Sequence, residues 1–320
     1  MYWFNKIINK HNLHVSVLAM ILEWFLIGNL RWSKFIHPIS VLAHFIEWLL
    51  DTKYRYKNCY GASLNLAFVI IGVVLGYSFQ FILRANMLGK VFEVLIVSVL
   101  LAHRCLIRHV NNILNRIYSA ELNISRGKLA MIVGRNVTQA GENEICSVTI
   151  LSLVENFCDA TFSPLLYYIF LGLPGLLTYK IVELADSIYG NRRPENRVLG
   201  VWVANFDDIL NYIPSRILGV MFLITFYVLS LGSYNFVKAY KDGYSLVSLN
   251  SALCEASVAL YLGIKLNGNR IYGDVLVRDR LFNECGRSAN GLDIEDAKYV
   301  INVVCLLTIL IIVILLWFMT

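Results

Sequence analysis

Long apolar runs dominate the pattern of hydrophobic and polar positions along this chain. A helix needs about 20 apolar residues to cross roughly 30 Å of hydrocarbon. Runs that reach or approach this length predict membrane helices at Leu13–Leu30, Gly61–Leu83, Leu88–Ile107, Ile209–Leu231 and Tyr299–Met319. We therefore expect an all-α, polytopic integral membrane protein.

Three weaker apolar runs lie at Ile39–Leu50, Thr161–Val182 and Ala252–Ile264. The middle run is interrupted by prolines and glycines, at Pro164, Gly172, Pro174 and Gly175. This composition predicts a broken or re-entrant element, whose irregular backbone must be buried in protein or line a cavity. Together the runs predict about five to eight hydrophobic helices.

The composition excludes a soluble protein. Hydrophobic residues make up 58% of the 320 positions, charged residues only 16%, and the mean hydropathy is +0.61. Soluble domains are nearer a quarter charged. The net charge of +6 comes mostly from Lys and Arg beside apolar runs, which indicates loops held at an anionic leaflet and does not suggest nucleic-acid binding.

Basic clusters predict part of the topology. Lys53, Arg55 and Lys57 precede one predicted span, and Arg104, Arg108 and Arg116 follow the next. Two crossings place both clusters on one side, expected to be cytoplasmic. Basic residues from Lys180 to Arg197 fit the same side only if Thr161–Val182 re-enters without crossing, so the number of spans stays open.

Three simpler features narrow the chemistry. The N-terminal run follows Lys6 and Lys10 but contains Glu23 and no small-residue cleavage site, which favours a retained helix over a signal peptide. The seven cysteines form no C-x-x-C pair and are interpreted as reduced apolar residues. Every histidine lies at or before His109, so the second half cannot contain a histidine-centred site.

We predict one membrane domain over residues 1–320, with N-terminal helices in 1–107, polar segments with interspersed helices in 108–298, and a final helix in 299–320. The polar segments run over Arg108–Asp159, Lys180–Asp208 and Lys238–Lys298.

Acidic residues are scarce, yet several lie at the ends of apolar runs. Glu155 and Asp159 are four apart and would share one helix face, so a cation is expected to balance them. The other acids of this kind are Glu183, Asp186, Asp207, Asp208 and Glu255. Ionisable groups at membrane depth are costly and usually functional, so we favour one shared site.

Paired carboxylates and amide oxygens suit Mg²⁺, with phosphate completing its shell. Asp207 and Asp208 are expected to face Asn211 one turn later, and Arg135 in "MIVGR" offers a fork for phosphate or carboxylate. Structural alternatives are an N-cap at Asp207, a pairing of Glu255 with Arg216, and a helix start at Ser163–Pro164 whose dipole Asp159 favours. Phosphate-loop, dinucleotide, nucleophile-elbow and zinc-protease motifs are absent.

The order of these motifs resembles the cobalamin-biosynthesis CobD/CbiB family of membrane-bound adenosylcobinamide-phosphate synthases. The resemblance covers most of the chain. It begins with Gly28 and His37–Pro38–Ile39, and continues through "MIVGR", "VEN..D....PL", "YK......DS..G", "DD..NYIPSR" and "N....EA" to a closing "YG". The block from Met131 to Arg216 agrees in residue type, order and spacing.

The resemblance implies an ATP-dependent amide ligase that attaches aminopropanol or its phosphate to adenosylcobyric acid. ATP and Mg²⁺ would be its cofactors, and the corrinoid, the amine and the lipid bilayer its partners. Contacts with other membrane enzymes of cobamide assembly would also fit. The expected location is the bacterial inner membrane, multi-pass, with a cytoplasm-facing site.

The resemblance also implies residue roles. It assigns catalysis to the acids Glu155, Asp159, Asp186, Asp207 and Asp208. Metal binding falls to Asp186, Asp207 and Asp208 among them. It assigns substrate or phosphate binding to Arg135, Asn156, Ser187, Asn211, Arg216, Asn250 and Glu255.

Several positions depart from the family pattern: Asn29–Leu30, Asn136, Glu183, Asn205, Leu246, Leu249 and Asn267–Gly268–Asn269. These departures leave alternatives open. The chain could be a divergent member with reduced or altered activity, or a non-catalytic AmpE-like sensory relative. A transporter would be favoured by inverted repeats, which the sequence does not show.

Overall fold

A computed structural model describes residues 8–27, 38–53, 61–190, 197–232, 234–244, 250–268, 270–272, 275–277 and 280–319. This part is almost wholly helical. Its α-helices are α1 (Lys10–Phe25), α2 (Pro38–Lys53), α3 (Gly61–Arg84), α4 (Met87–Leu100), α5 (His103–Tyr118), α6 (Leu122–Leu129), α7 (Glu142–Phe157), α8 (Ser163–Tyr189), α9 (Arg197–Leu229), α10 (Phe236–Tyr244), α11 (Ala252–Tyr261) and α12 (Gly291–Phe318).

A π-helical turn, Cys158–Phe162, joins α7 to α8. Four short strands occur in the described residues, at β1 (Leu266–Asn267), β2 (Arg270–Tyr272), β3 (Val275–Val277) and β4 (Leu281–Phe282). They form two antiparallel ladders, β1 with β4 and β2 with β3.

Four helical stretches of the described chain are long and apolar enough to cross a membrane: Ser63–Arg84, Glu142–Tyr189, Gly200–Leu229 and Gly291–Phe318. Apolar side chains such as Leu66, Ile70 and Val74 of α3 are exposed, as lipid-facing residues would be. The predicted all-α membrane class is confirmed.

Most predicted helices are present with shifted ends. Gly61–Leu83 corresponds to α3, and the N-terminal run forms α1 from Lys10 to Phe25. The last three residues of that first run, Gly28, Asn29 and Leu30, lie outside the described residues, as does His37. Asn9 caps α1 because its side chain accepts a hydrogen bond from the His11 amide at 2.9 Å.

The prediction of one helix over Leu88–Ile107 is wrong. The chain forms α4 and α5 there, separated at Leu101, whose backbone is extended (φ −86°, ψ 141°). The Ala102 amide donates to the Ala160 carbonyl at 3.2 Å, so the interruption is held by a tertiary contact. Hydropathy alone does not reveal such a turn, because apolar residues continue through it.

The suggested N-cap role of Asp207 is also wrong. Helix α9 begins at Arg197, so Asp207 and Asp208 lie well inside it. The other suggestion, a helix start at Ser163, coincides with the first residue of α8, with Pro164 in its first turn, but the helical chain enters α8 directly from the π turn. The run Ala252–Ile264 contains only the ten-residue α11, which is too short to span a membrane.

The chain divides into two compact units. Unit 1 comprises Met1–His103, Asp159–Asn211 and Ile309–Thr320. Unit 2 comprises Arg104–Cys158 and Tyr212–Thr308. The prediction of one domain stays a prediction.

In unit 1, α3 packs closely along α8. A Cβ atom at Gly72 would lie 2.5 Å from the Thr178 Cα, and one at Gly76 would lie 2.2 Å from the Pro174 Cα. Small residues four apart let two membrane helices approach at backbone distance. The predicted break in the Thr161–Val182 run is confirmed, because Gly172 inside α8 has φ 68° and ψ −152°.

In unit 2, α12 begins at a capping box. Asn290 Oδ1 accepts from the Leu292 and Asp293 amides, and Asp293 Oδ2 accepts from the Asn290 amide at 2.8 Å. Asp293 also receives both Nη atoms of Arg287, at 2.6 and 2.7 Å. The hydrogen bonds with Asp293 raise the pKa of the exposed Arg287 guanidinium above its ordinary value.

None of the six cysteines in the described part of the chain forms a disulfide. Cys146, Cys158, Cys254 and Cys305 are buried, as expected for reduced apolar residues. Cys59 lies outside the described residues.

Candidate active site

The centre of the candidate site is a pair of polar residues one turn apart in α9. The Asn211 Nδ2 donates to Asp207 Oδ2 at 3.0 Å. The four-residue spacing places both side chains on one helix face, as the sequence predicts. Asn211 is buried, with 2% of its surface exposed, so its polar atoms must find partners within the protein.

Two hydroxyl groups from α8 hold the other end of Asn211. Its Oδ1 accepts from Ser163 Oγ at 2.8 Å and from the Tyr179 hydroxyl at 2.9 Å. The Tyr179 oxygen also lies 3.0 Å from the Asp159 carbonyl. An ionised Asp207 carboxylate can only accept, so the NH₂ group of Asn211 faces Asp207 and its Oδ1 faces the two hydroxyl groups.

A second tyrosine strengthens the contact between α8 and α9. The Tyr167 ring stacks on Tyr179, with centroids 5.1 Å apart, and its hydroxyl donates to the Leu210 carbonyl at 3.0 Å. Leu210 directly precedes Asn211, so this hydrogen bond attaches Tyr167 to α9 next to the buried amide. Helices α8 and α9 are therefore fixed to each other at the position of the acids.

The two carboxylate oxygens of Asp207 differ in their surroundings, because only Oδ2 accepts the hydrogen bond from Asn211. Its Oδ1 is buried and has no hydrogen-bond partner among the residues that the structure describes. Asp186, Glu183 and Asp208 are close enough for their negative charges to act on it. A buried carboxylate that is surrounded by like charges is costly unless a cation or proton compensates it.

Asp186 is held against the end of α8. Its side chain lies over Gly190, where an added Cβ would be only 2.0 Å from Asp186 Oδ1. Any residue larger than glycine would displace this carboxylate. The glycine that ends "DS..G" therefore has a steric reason, while Ser187 of the same motif is exposed.

One buried cation partly offsets these acids. Lys180 has 2% of its side chain exposed, and its Nζ lies 2.9 Å from Glu183 Oε2. Glu183 is 21% exposed. Lys180 thus places one buried positive charge at Glu183, which together with Asp186 and Asp208 acts electrostatically on Asp207.

In unit 2, Arg216 and Asn250 are brought together. The Arg216 Nη1 donates to Asn250 Oδ1 at 2.7 Å and to the Tyr212 carbonyl at 2.9 Å. Its guanidinium carbon lies 3.7 Å from the centre of the Tyr212 ring. The stacking and the amide contact fix the plane of the guanidinium, as recognition of a planar anion requires.

Three further predicted residues of unit 2 lie in α7 (Glu155 and Asn156) and in α11 (Glu255). Asn156 donates to both the carbonyl and the hydroxyl of Ser152, and Ser152 Oγ donates to the Ile132 carbonyl at 3.2 Å. Asn156 thus supports the backbone just before Arg135. Glu155 is exposed in the last turn of α7, and Glu255 is buried in α11 with 3% of its surface exposed.

The π turn alters one prediction. Glu155 lies in α7 and Asp159 lies within Cys158–Phe162. The interval between the two acids therefore includes the start of a π turn and is not the straight α-helix on which their shared face was predicted.

Sequence reasoning missed several residues of the site: Ser163, Tyr167, Tyr179 and Lys180. Tyr179 and Lys180 stand in the quoted "YK" pair, but neither carried a predicted role. Their contacts join residues up to 48 positions apart, and such pairings leave no periodic signal in the sequence.

Among the described residues, no group of three His, Cys, Asp or Glu side chains could by itself hold a metal ion. This arrangement is compatible with Mg²⁺, which usually takes one or two carboxylates and completes its octahedron with water and phosphate oxygens. The structure thus does not bring Asp186, Asp207 and Asp208 together as one three-carboxylate set, and their assignment to a metal stays a prediction.

Several positions that depart from the family pattern have defined surroundings in the structure. Glu183 pairs with Lys180, Asn205 is exposed, and Asn136 Oδ1 accepts from the Thr138 amide and hydroxyl at 3.0 and 2.7 Å. Asn267 and Gly268 form a turn with positive φ angles of 68° and 107°. Leu246, Leu249 and Asn269 lie outside the described residues.

The helices and the acid cluster define a helical membrane protein with a polar site built on a broken helix. Comparison with known proteins gives its family: the CobD/Cbib protein family matches residues 16–304, and the chain belongs to it.

Three relatives illustrate the similarity. The chain is 31% identical to the "Cobalamin biosynthesis protein CobD" of Brucella anthropi over 88% of the chain and 90% of the relative. It is 35% identical to the protein of the same name from Sinorhizobium fredii, with the same shares covered. It is 30% identical to the "Probable cobalamin biosynthesis protein CobD" of Pyrococcus furiosus, over 74% of the chain and 80% of the relative. No solved structure matches the chain significantly.

Proposed function

We propose that the protein acts in cobalamin biosynthesis as an ATP-dependent amide ligase. It attaches aminopropanol or its phosphate to adenosylcobyric acid and yields adenosylcobinamide or its phosphate. Family membership and the names of the relatives support the pathway. The observation that supports catalysis is the buried, unpartnered Oδ1 of Asp207 beside three other acids in the described residues.

The reaction explains why such a cluster would be needed. A carboxylate is a poor electrophile, so the corrinoid carboxyl is first phosphorylated by ATP, which gives an acyl phosphate and ADP. The amine nitrogen then attacks the carbonyl carbon, the C–N bond forms and inorganic phosphate leaves. The proton that the amine loses passes to a carboxylate of the cluster.

Asp207 Oδ1 is the atom best prepared to bind a cation. Asn211 restrains its partner oxygen at 3.0 Å, so Oδ1 keeps its lone pairs and a fixed direction. Asp186 and Asp208 supply the adjacent charge. When bound, Mg²⁺ would neutralise phosphate charge during phosphoryl transfer.

Other roles follow from the family resemblance and are part of the proposal. Arg135 and Arg216 take phosphate or carboxylate groups, because a guanidinium binds such planar or tetrahedral anions through two hydrogen bonds. Asn156, Ser187, Asn250 and Glu255 contribute to substrate binding, and Glu155 and Asp159 to catalysis. The protein works in the bacterial inner membrane with this site facing the cytoplasm, where ATP is available.

Rescue of growth tests this proposal. The chain is expressed in a bacterium that lacks its own cobinamide-phosphate synthase, cobyric acid is supplied, and corrinoid-dependent growth is scored. We expect growth from the wild-type chain. Asp207→Asn and Glu155→Gln should each lower product formation by roughly 10²–10⁴-fold, as expected for groups that act on protons or charge in the reaction.

Asn205→Ala is the matched control, because Asn205 is exposed and lies in the same helix two residues before Asp207. It should support growth at the wild-type level. No growth from a wild-type chain that is present in the membrane would contradict the ligase and favour a non-catalytic relative.

A further inference from the structure

A cluster of buried and partly buried polar side chains, contributed by α1, α3 and α4, surrounds the break in α8. The break occurs at Gly172, whose φ of 68° and ψ of −152° are accessible essentially only to glycine. Pro174 follows and lacks an amide hydrogen. Backbone groups freed at such a break must be satisfied by other parts of the protein when they are buried in a membrane.

Two side chains provide these missing partners. Asn12 of α1 donates through Nδ2 to the carbonyls of Tyr168 and Ile169, at 3.1 and 3.2 Å. Gln80 of α3 accepts from the Leu173 amide through Oε1 at 3.2 Å. In an unbroken helix the Leu173 amide would donate to Ile169, so the two side chains replace both halves of that lost bond.

A second set of contacts fixes the orientation of Asn12. Arg84 Nη2 donates to Asn12 Oδ1 at 2.7 Å, so the Asn12 NH₂ group must face α8. Arg84 also binds Glu93, at 2.7 Å between Nη2 and Oε1. Glu93 is fully buried and accepts from Tyr168 of α8 itself at 2.7 Å.

His11 completes the set, with its Nε2 2.9 Å from Glu93 Oε2. The carboxylate of Glu93 is thus contacted by a guanidinium, a phenol and an imidazole. A buried carboxylate with this many partners is a rigid feature. Removing one of them would leave an uncompensated charge or dipole.

The position of the break determines where the acids lie. The part of α8 after Gly172 carries Tyr179, Lys180, Glu183 and Asp186. Since Tyr179 and Ser163 hold Asn211 from opposite sides of the break, the angle between the two halves of α8 sets the geometry around Asp207.

We propose that Asn12 and Gln80 are positioning residues that form a clamp, which holds the break in α8 at a fixed angle and thereby aligns the acid cluster with Asn211. Arg84 acts through Asn12, and Glu93 acts through Arg84 and through its own hydrogen bond with Tyr168 of α8. The fixed angle is independent of the reaction, while its effect on turnover rests on the proposed function.

The two positions require opposite chemistry, and this difference provides the test. Position 80 needs an acceptor, so Gln80→Glu should preserve the break and Gln80→Met should not. Position 12 needs a donor toward α8. Asn12→Asp should therefore not preserve the break, even though its carboxylate could still accept from Arg84. At position 80 the conservative change is thus matched with a disruptive one of similar size.

The angle can be measured by distances between spin labels. Labels are placed at Phe170 before the break and at Ser187 after it, both of which are exposed, in a background without the seven native cysteines. We expect one narrow distance distribution for the parent chain and for Gln80→Glu. Gln80→Met and Asn12→Asp should broaden or shift it.

Turnover is measured for the same variants without spin labels. A misplacement of about 1 Å can cost on the order of 10²-fold in rate, so Gln80→Met and Asn12→Asp should lower kcat strongly while KM changes little. Gln80→Glu should retain most of the activity.

The outcomes separate this inference from the proposed function. Label distances that follow the acceptor and donor rule in a chain without ligase activity would support the clamp and reject the ligase. Active ligase with unchanged distances in Gln80→Met and Asn12→Asp would overturn the clamp. If either disruptive variant fails to accumulate, Gln80→Glu failing in the same way would also overturn it.

Discussion

At the scale of single residues, Asn211 connects α8 with the acids of α9. Its oxygen accepts from Ser163 and Tyr179, and its nitrogen donates to Asp207. The link between Asp207 and Asn211 could be predicted, because residues four apart in a helix face each other. The hydroxyl partners could not, because they come from another helix and their sequence positions carry no period.

The pair of Lys180 and Glu183 allows a test at this scale. Breaking a buried ion pair costs about 3–5 kcal/mol, whereas replacing both members by neutral residues is often nearly neutral. Glu183 is 21% exposed, so we expect Lys180→Met alone to cost less, about 1–3 kcal/mol of unfolding free energy. The double variant Lys180→Met with Glu183→Gln should recover most of this loss.

The measurement is the unfolding of the purified protein in detergent, with growth rescue beside it. Lys298→Met is a suitable control, because its contact with the half-exposed Glu295 spans 3.4 Å and should contribute little. A double variant as unstable as Lys180→Met would show that Lys180 balances more of the cluster than Glu183 alone.

At the scale of elements, the sequence predicts the break in α8 but not the contacts that hold it. Its break was predicted from Gly172 and Pro174, since both residues interrupt helices for known steric reasons. The clamp was not predicted, because Asn12 lies 156 residues before the carbonyl that it contacts. The division of Leu88–Ile107 was missed because the turn at Leu101 depends on a tertiary hydrogen bond.

The close packing of α3 on α8 gives a prediction for this scale. A Cβ at Gly76 would be 2.2 Å from the Pro174 Cα and 2.5 Å from its nitrogen, and these are backbone atoms that cannot move aside singly. Gly76→Ala should therefore destabilise the protein by roughly 1–3 kcal/mol through overpacking, measured as a lower unfolding temperature in detergent.

Gly127→Ala is the matched control. Gly127 lies within α6, and a Cβ there would meet nothing within 4 Å. Alanine favours a helix over glycine, so this variant should be neutral or slightly more stable. Equal effects at the two positions would contradict the packing described for α3 and α8.

At the scale of the whole molecule, the membrane class follows from apolar content and run length, and the four candidate spans agree with it. Helix ends were less accessible: α9 starts at Arg197, so its acids lie inside the helix instead of capping it. Family membership rests on ordered motifs and is shown by a match over residues 16–304. The chemistry is the part that neither apolar pattern nor fold decides.

The central claim is that this chain forms an amide bond at the expense of ATP. The most direct measurement uses the purified protein in lipid vesicles with adenosylcobyric acid, ATP and Mg²⁺, and with aminopropanol or its phosphate in parallel reactions. Products are identified by mass. We predict one corrinoid amide and one ADP for each turnover with at least one of the amines, and neither product above background with Asp207→Asn. Folded wild-type protein that yields no amide with either amine would contradict the account.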